Sequence, residues 1–300
     1  MKKKTYLFAL MAMALTLGSC SDNENGIGGE TSKYITVSTS IGNMTRVATD
    51  ANGGQTFEEG DEISVYAWTG DATVAPETRE RVVNNAINKL TNGSWISNPQ
   101  MLWKNNRDKH YFIGVYPTAA ISDFTAGEYK LDVAKQEDSD LLVAVNKDGI
   151  SYNADEQQTV PLTFTHVMAK LAVNLTYKNQ WGGIPTVEKV VVGNAAKEAT
   201  INYLTKVVTP STTAKEDFSL PEITENTKYV SVIIPQEDVT QLTIVIGGKN
   251  FVYDNGTPFK LESGKITTVN LEVGRDEIKL GDVKITNWED GSTFSGEALN

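Results

Sequence analysis

The chain has 300 residues, with 27 Lys and Arg against 38 Asp and Glu and a formal net charge of −11. That balance opposes binding to nucleic acid, which depends on neutralising phosphates with cations. One cysteine and two histidines leave no ligand set for a structural zinc site and no partner for a disulfide.

The first element in chain order has the parts of an export signal. Lys2, Lys3 and Lys4 precede an apolar run from Tyr6 to Leu17, which is too short to span a bilayer, and the small residues Gly18 and Ser19 follow. Leu17-Gly18-Ser19-Cys20 resembles a lipobox, in which the Cys20 sulfur takes up diacylglycerol and becomes the new N-terminus. The alternative is an ordinary signal cut nearby, with an incidental cysteine. Residues 1–20 are therefore read as a lipoprotein signal, and the Asn-, Gly-, Glu- and Ser-rich residues 21–32 as a flexible spacer. A lipidated Cys20 leaves no free thiol for redox chemistry or catalysis.

From residue 33 onward, alternation of apolar and polar residues dominates, which predicts an all-β protein. In Lys33 to Ile41, Ile35, Val37 and Ile41 share one face and Thr36, Ser38 and Ser40 the other. Strands are predicted over 62–68, 111–117, 129–133 and 141–146. The second half repeats the pattern over 168–177, 189–194, 228–235, 242–248, 265–273 and 283–288, with Gly, Asn, Asp and Pro between. The one stretch with a helical repeat is Arg79 to Leu90. Short strands at this spacing suggest β-sandwiches with Greek-key connections. The polar stretch 147–159 predicts a boundary between an N-terminal sandwich (33–157) and a C-terminal sandwich (158–300).

Candidate chemistry is thin. His166 is the first candidate base, but no nucleophile or second ligand stands at a usable spacing, so it reads as a buried, hydrogen-bonded histidine near the domain junction. His110 is expected to face solvent at a strand start. The acids at 57–62 and 137–140 do not follow an EF-hand pattern and read as solvated loop charge. The five tryptophans read as core or edge cover rather than a sugar platform. Neither a catalytic residue nor a metal or cofactor is implied.

Six stretches in order resemble the fimbrillin family of Bacteroidales: the lipobox at Cys20, MTRVATD at 44–50, FEEGDEISVYAW at 57–68, QEDSDLLVA at 136–144, LTFTHVMAKLAVNL at 162–175 and ITNW at 285–288. The resemblance implies two transthyretin-like β-sandwich domains, export as a lipoprotein to the outer-membrane surface, and cleavage by an arginine-specific protease after the first strand. Removing that strand opens a groove, which a strand from a neighbouring fimbrial subunit fills. Asp22 and Glu24 resemble a surface-export tag of such lipoproteins. Arg46, in a polar stretch open to proteases, is the expected cleavage residue, with Val47 becoming the first residue; the bland reading is one arginine in a loop. Strand 33–41 is apolar on one face, so its excision would uncover groups that need a partner. Val283, Ile285 and Phe294 are the donor-strand candidates, and the alternative for 283–288 is the last strand of its own sandwich. The expected function is a fimbrial structural subunit or adhesin without catalysis. The rival is a surface glycan-binding lipoprotein that does not polymerise.

Overall fold

The computed structural model describes residues 33–42, 56–153, 156, 158–254 and 256–288. Cys20, Arg46, Val47 and Phe294 lie outside the described residues. In chain order the strands are β1 (Thr36–Ile41), β2 (Glu62–Thr69), β3 (Arg81–Thr91), β4 (Ser94–Asn98), β5 (Lys109–Tyr116), β6 (Gly127–Lys130) and β7 (Leu142–Ser151). Next come β8 (Thr159–His166), β9 (Ala169–Tyr177), β10 (Val187–Ala196), β11 (Glu198–Asn202), β12 (Val207–Pro210) and β13 (Lys215–Ser219). The last are β14 (Glu222–Thr224), β15 (Lys228–Ile233), β16 (Gln241–Ile246), β17 (Lys249–Asp254), β18 (Lys265–Val273) and β19 (Ile278–Asn287). Among the described residues there is no α-helix, only three short 3₁₀ turns.

A seven-stranded sheet runs in the order β1-β8-β7-β5-β2-β3-β4. Its middle is buried on both faces, which is why β2 is covered from Ile63 to Trp68 without interruption. Ile63, Val65 and Ala67 join Phe112, Leu142, Val160, Leu162 and Phe164 on one side. Tyr66 and Trp68 join Ile113 and Val143 on the other, where the core continues into Leu171, Val190, Ile244 and Val269 of the C-terminal half. That half contributes a five-stranded sheet, β14-β15-β9-β18-β19, and a four-stranded sheet, β13-β10-β16-β17.

Two sheets combine strands from the earlier and later parts of the chain. β8, which follows position 157, inserts between β1 and β7, and β6 from before it pairs with β11 in a three-stranded sheet closed by β12. The strand β8 carries strict alternation at Val160, Leu162, Phe164 and His166, all buried. Pro161 sits on the exposed face, and its missing N–H falls on the β7 side of β8, where the ladder to β7 covers only Thr165 and His166.

The helix expected over Arg79–Leu90 is instead the strand β3, with a 3₁₀ turn, Thr78–Glu80, leading into it. Arg81 and Val83 are buried, then Ala86 and Asn88, so the alternation slips by one residue at Asn84-Asn85. Asn85 takes φ +57°, and the ladder to β2 shifts register there, pairing Val65 with Ala86 and Ala67 with Val83. This is a β-bulge, and it spaces apolar residues three apart, which in a sequence looks helical.

Candidate functional site: the groove around the first strand

β1 is short, yet three backbone and side-chain systems hold it. Along one edge it pairs in parallel with β8, from Thr36 opposite Thr159 to Ile41 opposite Phe164. Gly42 N–H extends this ladder to the Phe164 carbonyl at 2.8 Å, and Ser40 Oγ donates to Thr163 Oγ1 at 3.3 Å. At its start, the opposite edge meets the segment after β4. Ile35 N–H donates to Met101 O at 2.9 Å and Trp103 N–H donates to Lys33 O at 3.2 Å, around a bridge between Tyr34 and Leu102.

Further along, β1 and β4 are the two outer strands of the seven-stranded sheet and face each other without a ladder. One side-chain bond crosses that seam: Trp95 Nε1 donates to Thr39 Oγ1 at 3.0 Å. Trp95 is itself fixed by its pairing with Leu90 and by the edge of Phe57, 5.3 Å away between ring centroids. Phe57 also meets Phe164 at 5.1 Å and Tyr116 at 5.4 Å, so an aromatic cluster closes one end of the groove.

The apolar side of β1 points inward. Ile35 is 2% exposed, Val37 6% and Ile41 8%, against Phe112, Val160, Leu162 and Phe164. Gly114 lets Phe164 settle on this floor, since a Cβ there would come within 2.6 Å of the ring. Burying three such aliphatic side chains contributes about 5–9 kcal/mol at roughly 1.5–3 kcal/mol each. Outside the strand, an open cleft runs between β1 and Phe57, Leu90, Trp95 and Ile96, and no charged side chain lines it among the described residues. An uncharged slot with free backbone groups and alternating apolar pockets is suited to an extended peptide, not to a charged substrate.

β1 is joined to the later strands only through residues 43–55, the stretch that contains Arg46. Val283 and Ile285 sit on β19, the edge strand of the five-stranded sheet, which pairs with β18 from Lys265 opposite Asn287 to Val273 opposite Ile278. They face the same side as the fully buried Val269 and Thr267 of β18, but at the rim they remain 38% and 41% exposed.

The histidines lie apart from this groove. His166 is buried at the end of β8, its Nδ1 2.9 Å from Asp140. His110 does not face solvent: it is fully buried, with Lys104 N–H donating to its Nε2 at 3.0 Å and Trp103 edge-on at 5.0 Å. Burial pushes its imidazole below the usual value. It is the second residue of β5, where Trp103 packs against the strand end, a contact the local sequence does not encode. None of the five tryptophans is exposed. Among the described residues no cluster of three or more His, Cys, Asp and Glu is arranged to hold a metal.

Sequence reasoning missed Phe57 and Trp95 as groove residues and β8 as the partner of β1. The alternation in 159–166 was a usable signal for β8, masked by Pro161; the contact of Trp95 with Thr39 spans 56 positions and has none.

The sequence model for fimbrillin-like proteins matches residues 45–288. The chain belongs to the fimbrillin-like family. Over 315 aligned positions this fimbrillin-like chain is 24% identical to a Bacteroides uniformis protein named "Putative fimbrium subunit Fim1C", with 97% of each chain covered. Its fold is similar to two crystal structures, each described as a "putative cell adhesion protein". One, from Bacteroides ovatus, gives a TM-score of 0.65 at 18% identity, covering 85% of this chain and 98% of that one. The other, from Bacteroides uniformis, gives 0.62 at 20% identity, covering 81% and 100%.

Proposed function

We propose that the chain is a structural or adhesive subunit of a surface fimbria, exported on a lipid at Cys20, trimmed between Arg46 and Val47, and joined to its neighbours by strand exchange in the β1 groove. Membership of the fimbrillin-like family and the name of the Bacteroides uniformis relative support the fimbrial part. The exchange part rests on one observation: β1 is an outer strand whose buried face is apolar and whose link to the later strands is the stretch holding Arg46. A cut there leaves β1 held by non-covalent contacts alone. Its departure would uncover Val160, Leu162 and Phe164 together with the β8 backbone, and such an edge draws in another strand.

The partner is a neighbouring fimbrial subunit, and the site of action is the outer-membrane surface. The donor is an extended segment of that neighbour; in this chain Val283, Ile285 and Phe294 are the candidates. Val283 and Ile285 would have to give up their pairing with β18 to serve in trans.

N-terminal sequencing of native surface material tests the processing step, with Val47 expected as the first residue. An Arg46→Ala strain is expected to lose both the trimmed form and the SDS-resistant ladders of the assembled polymer. Unchanged ladders in that strain would remove Arg46 from the mechanism.

A further inference from the structure

We infer that the Trp95 indole N–H reads one side chain of whatever strand occupies the β1 groove, and that the incoming strand must present a hydrogen-bond acceptor at that position. This rests on the strand-exchange reading above. Along β1, alternation would set side chains 35, 37, 39 and 41 inward together, and three of them are aliphatic. The fourth is Thr39, and it is the one that meets Trp95, at 3.0 Å across the seam where β1 and β4 share no ladder.

The donor group is not free to turn elsewhere. The Leu90 pairing fixes the Trp95 backbone and the Phe57 edge packs on its indole, so an aliphatic side chain in the Thr39 slot would leave a half-buried N–H without its acceptor. The aliphatic pockets accept many strands in several registers. A slip of two residues, however, would bring an aliphatic group under Trp95 and a hydroxyl into an apolar pocket. Trp95 thereby fixes register as well as partner, in the way a single polar position fixes pairing in an otherwise apolar seam.

The partner is thus a strand running parallel to β8 with the order apolar, any, apolar, any, acceptor, any, apolar, the acceptor being Ser, Thr, Asn or Asp. Within this chain Val283-Lys284-Ile285-Thr286-Asn287 carries the first five positions, with the Asn287 amide oxygen in place of the Thr39 hydroxyl, but the seventh, apolar position falls on Glu289.

The test uses the full chain after limited cleavage at Arg46 and fluorescent synthetic peptides spanning residues 33–42. The Thr39→Val peptide is expected to bind about fivefold more weakly than the parent, and Thr39→Ser about as well as the parent. A Trp95→Phe protein, which keeps the aromatic contact with Phe57, is expected to bind all three alike. Equal binding of the parent and Thr39→Val peptides to the Trp95 protein overturns the inference and leaves strand exchange standing. Should no peptide bind, strand exchange fails, and the inference is then decided in the uncut chain. There a Thr39→Val and Trp95→Phe double-mutant cycle in thermal unfolding is expected to show coupling, and additive effects would overturn it.

Discussion

His166 and Trp288 lie flat against each other, with ring centroids 4.0 Å apart and planes within 6°. The stack ties the end of β8, the neighbour of β1, to the residue that follows β19. Asp140 holds the imidazole, Lys170 Nζ stands 4.2 Å over the same indole, and Trp288 N–H donates to Gly264 O at 2.9 Å. Neither ring is solvent-facing, since Trp288 is 8% exposed and His166 6%. Replacing Trp288 by alanine is expected to destabilise the protein by about 3 kcal/mol, the scale of a large buried aromatic lost. Urea unfolding measures it, and a loss below about 1 kcal/mol would mean that the stack contributes little.

Val37 is the most central of the inward β1 side chains. A Val37→Asp substitution would place a carboxylate opposite Val160 within the apolar cluster that includes Phe112. We expect a loss of about 3 kcal/mol or more, or ejection of β1 from the groove. Ejection has its own signature: hydrogen exchange in β8 should rise while β9 and β18 stay protected. Uniform protection in the variant would contradict the account of the groove.

The β3 bulge makes a sharper demand on residue type. Asn85 at φ +57° is one of the few non-glycine residues that tolerate the left-handed region. Asn85→Gly is expected to leave stability within about 0.5 kcal/mol, whereas Asn85→Val should cost about 2 kcal/mol through backbone strain. Thermal unfolding of the pair checks the order, and equal melting temperatures would argue against a bulge at this position.

His110 makes stability depend on pH. Its folded-state pKa lies below the ordinary value of about 6.5 because burial disfavours the imidazolium, so the unfolded chain binds the extra proton first. The stabilising contribution is complete above about pH 6.5 and is lost as pH falls toward the folded value. Chemical denaturation between about pH 7.5 and 5 should show this loss, and His110→Gln should remove part of the slope. An unchanged slope in the variant would place the pH dependence elsewhere.

The all-β class and eleven of the strands were legible because alternation at Ile35 and Val37, or at Leu171 and Val173, reports a sheet face directly. β3 was not legible. A bulge at Asn85 changes the phase of burial, and spacing alone cannot tell a slipped strand from a helix turn. Nor did the chain reveal that β8 would lie beside β1, since parallel pairing of segments more than a hundred positions apart follows from the sheet order and leaves no local trace.

What the amino-acid order determined by itself is the one-sided apolar character of residues 33–41, set by side-chain chemistry and the two-residue repeat of a strand. What only the tertiary structure decided is where that face goes. It fills a slot floored by Phe112, Leu162 and Phe164 and crossed by the Trp95 to Thr39 bond, because those residues come from four separate strands that meet only when the sheet curls its two edges together.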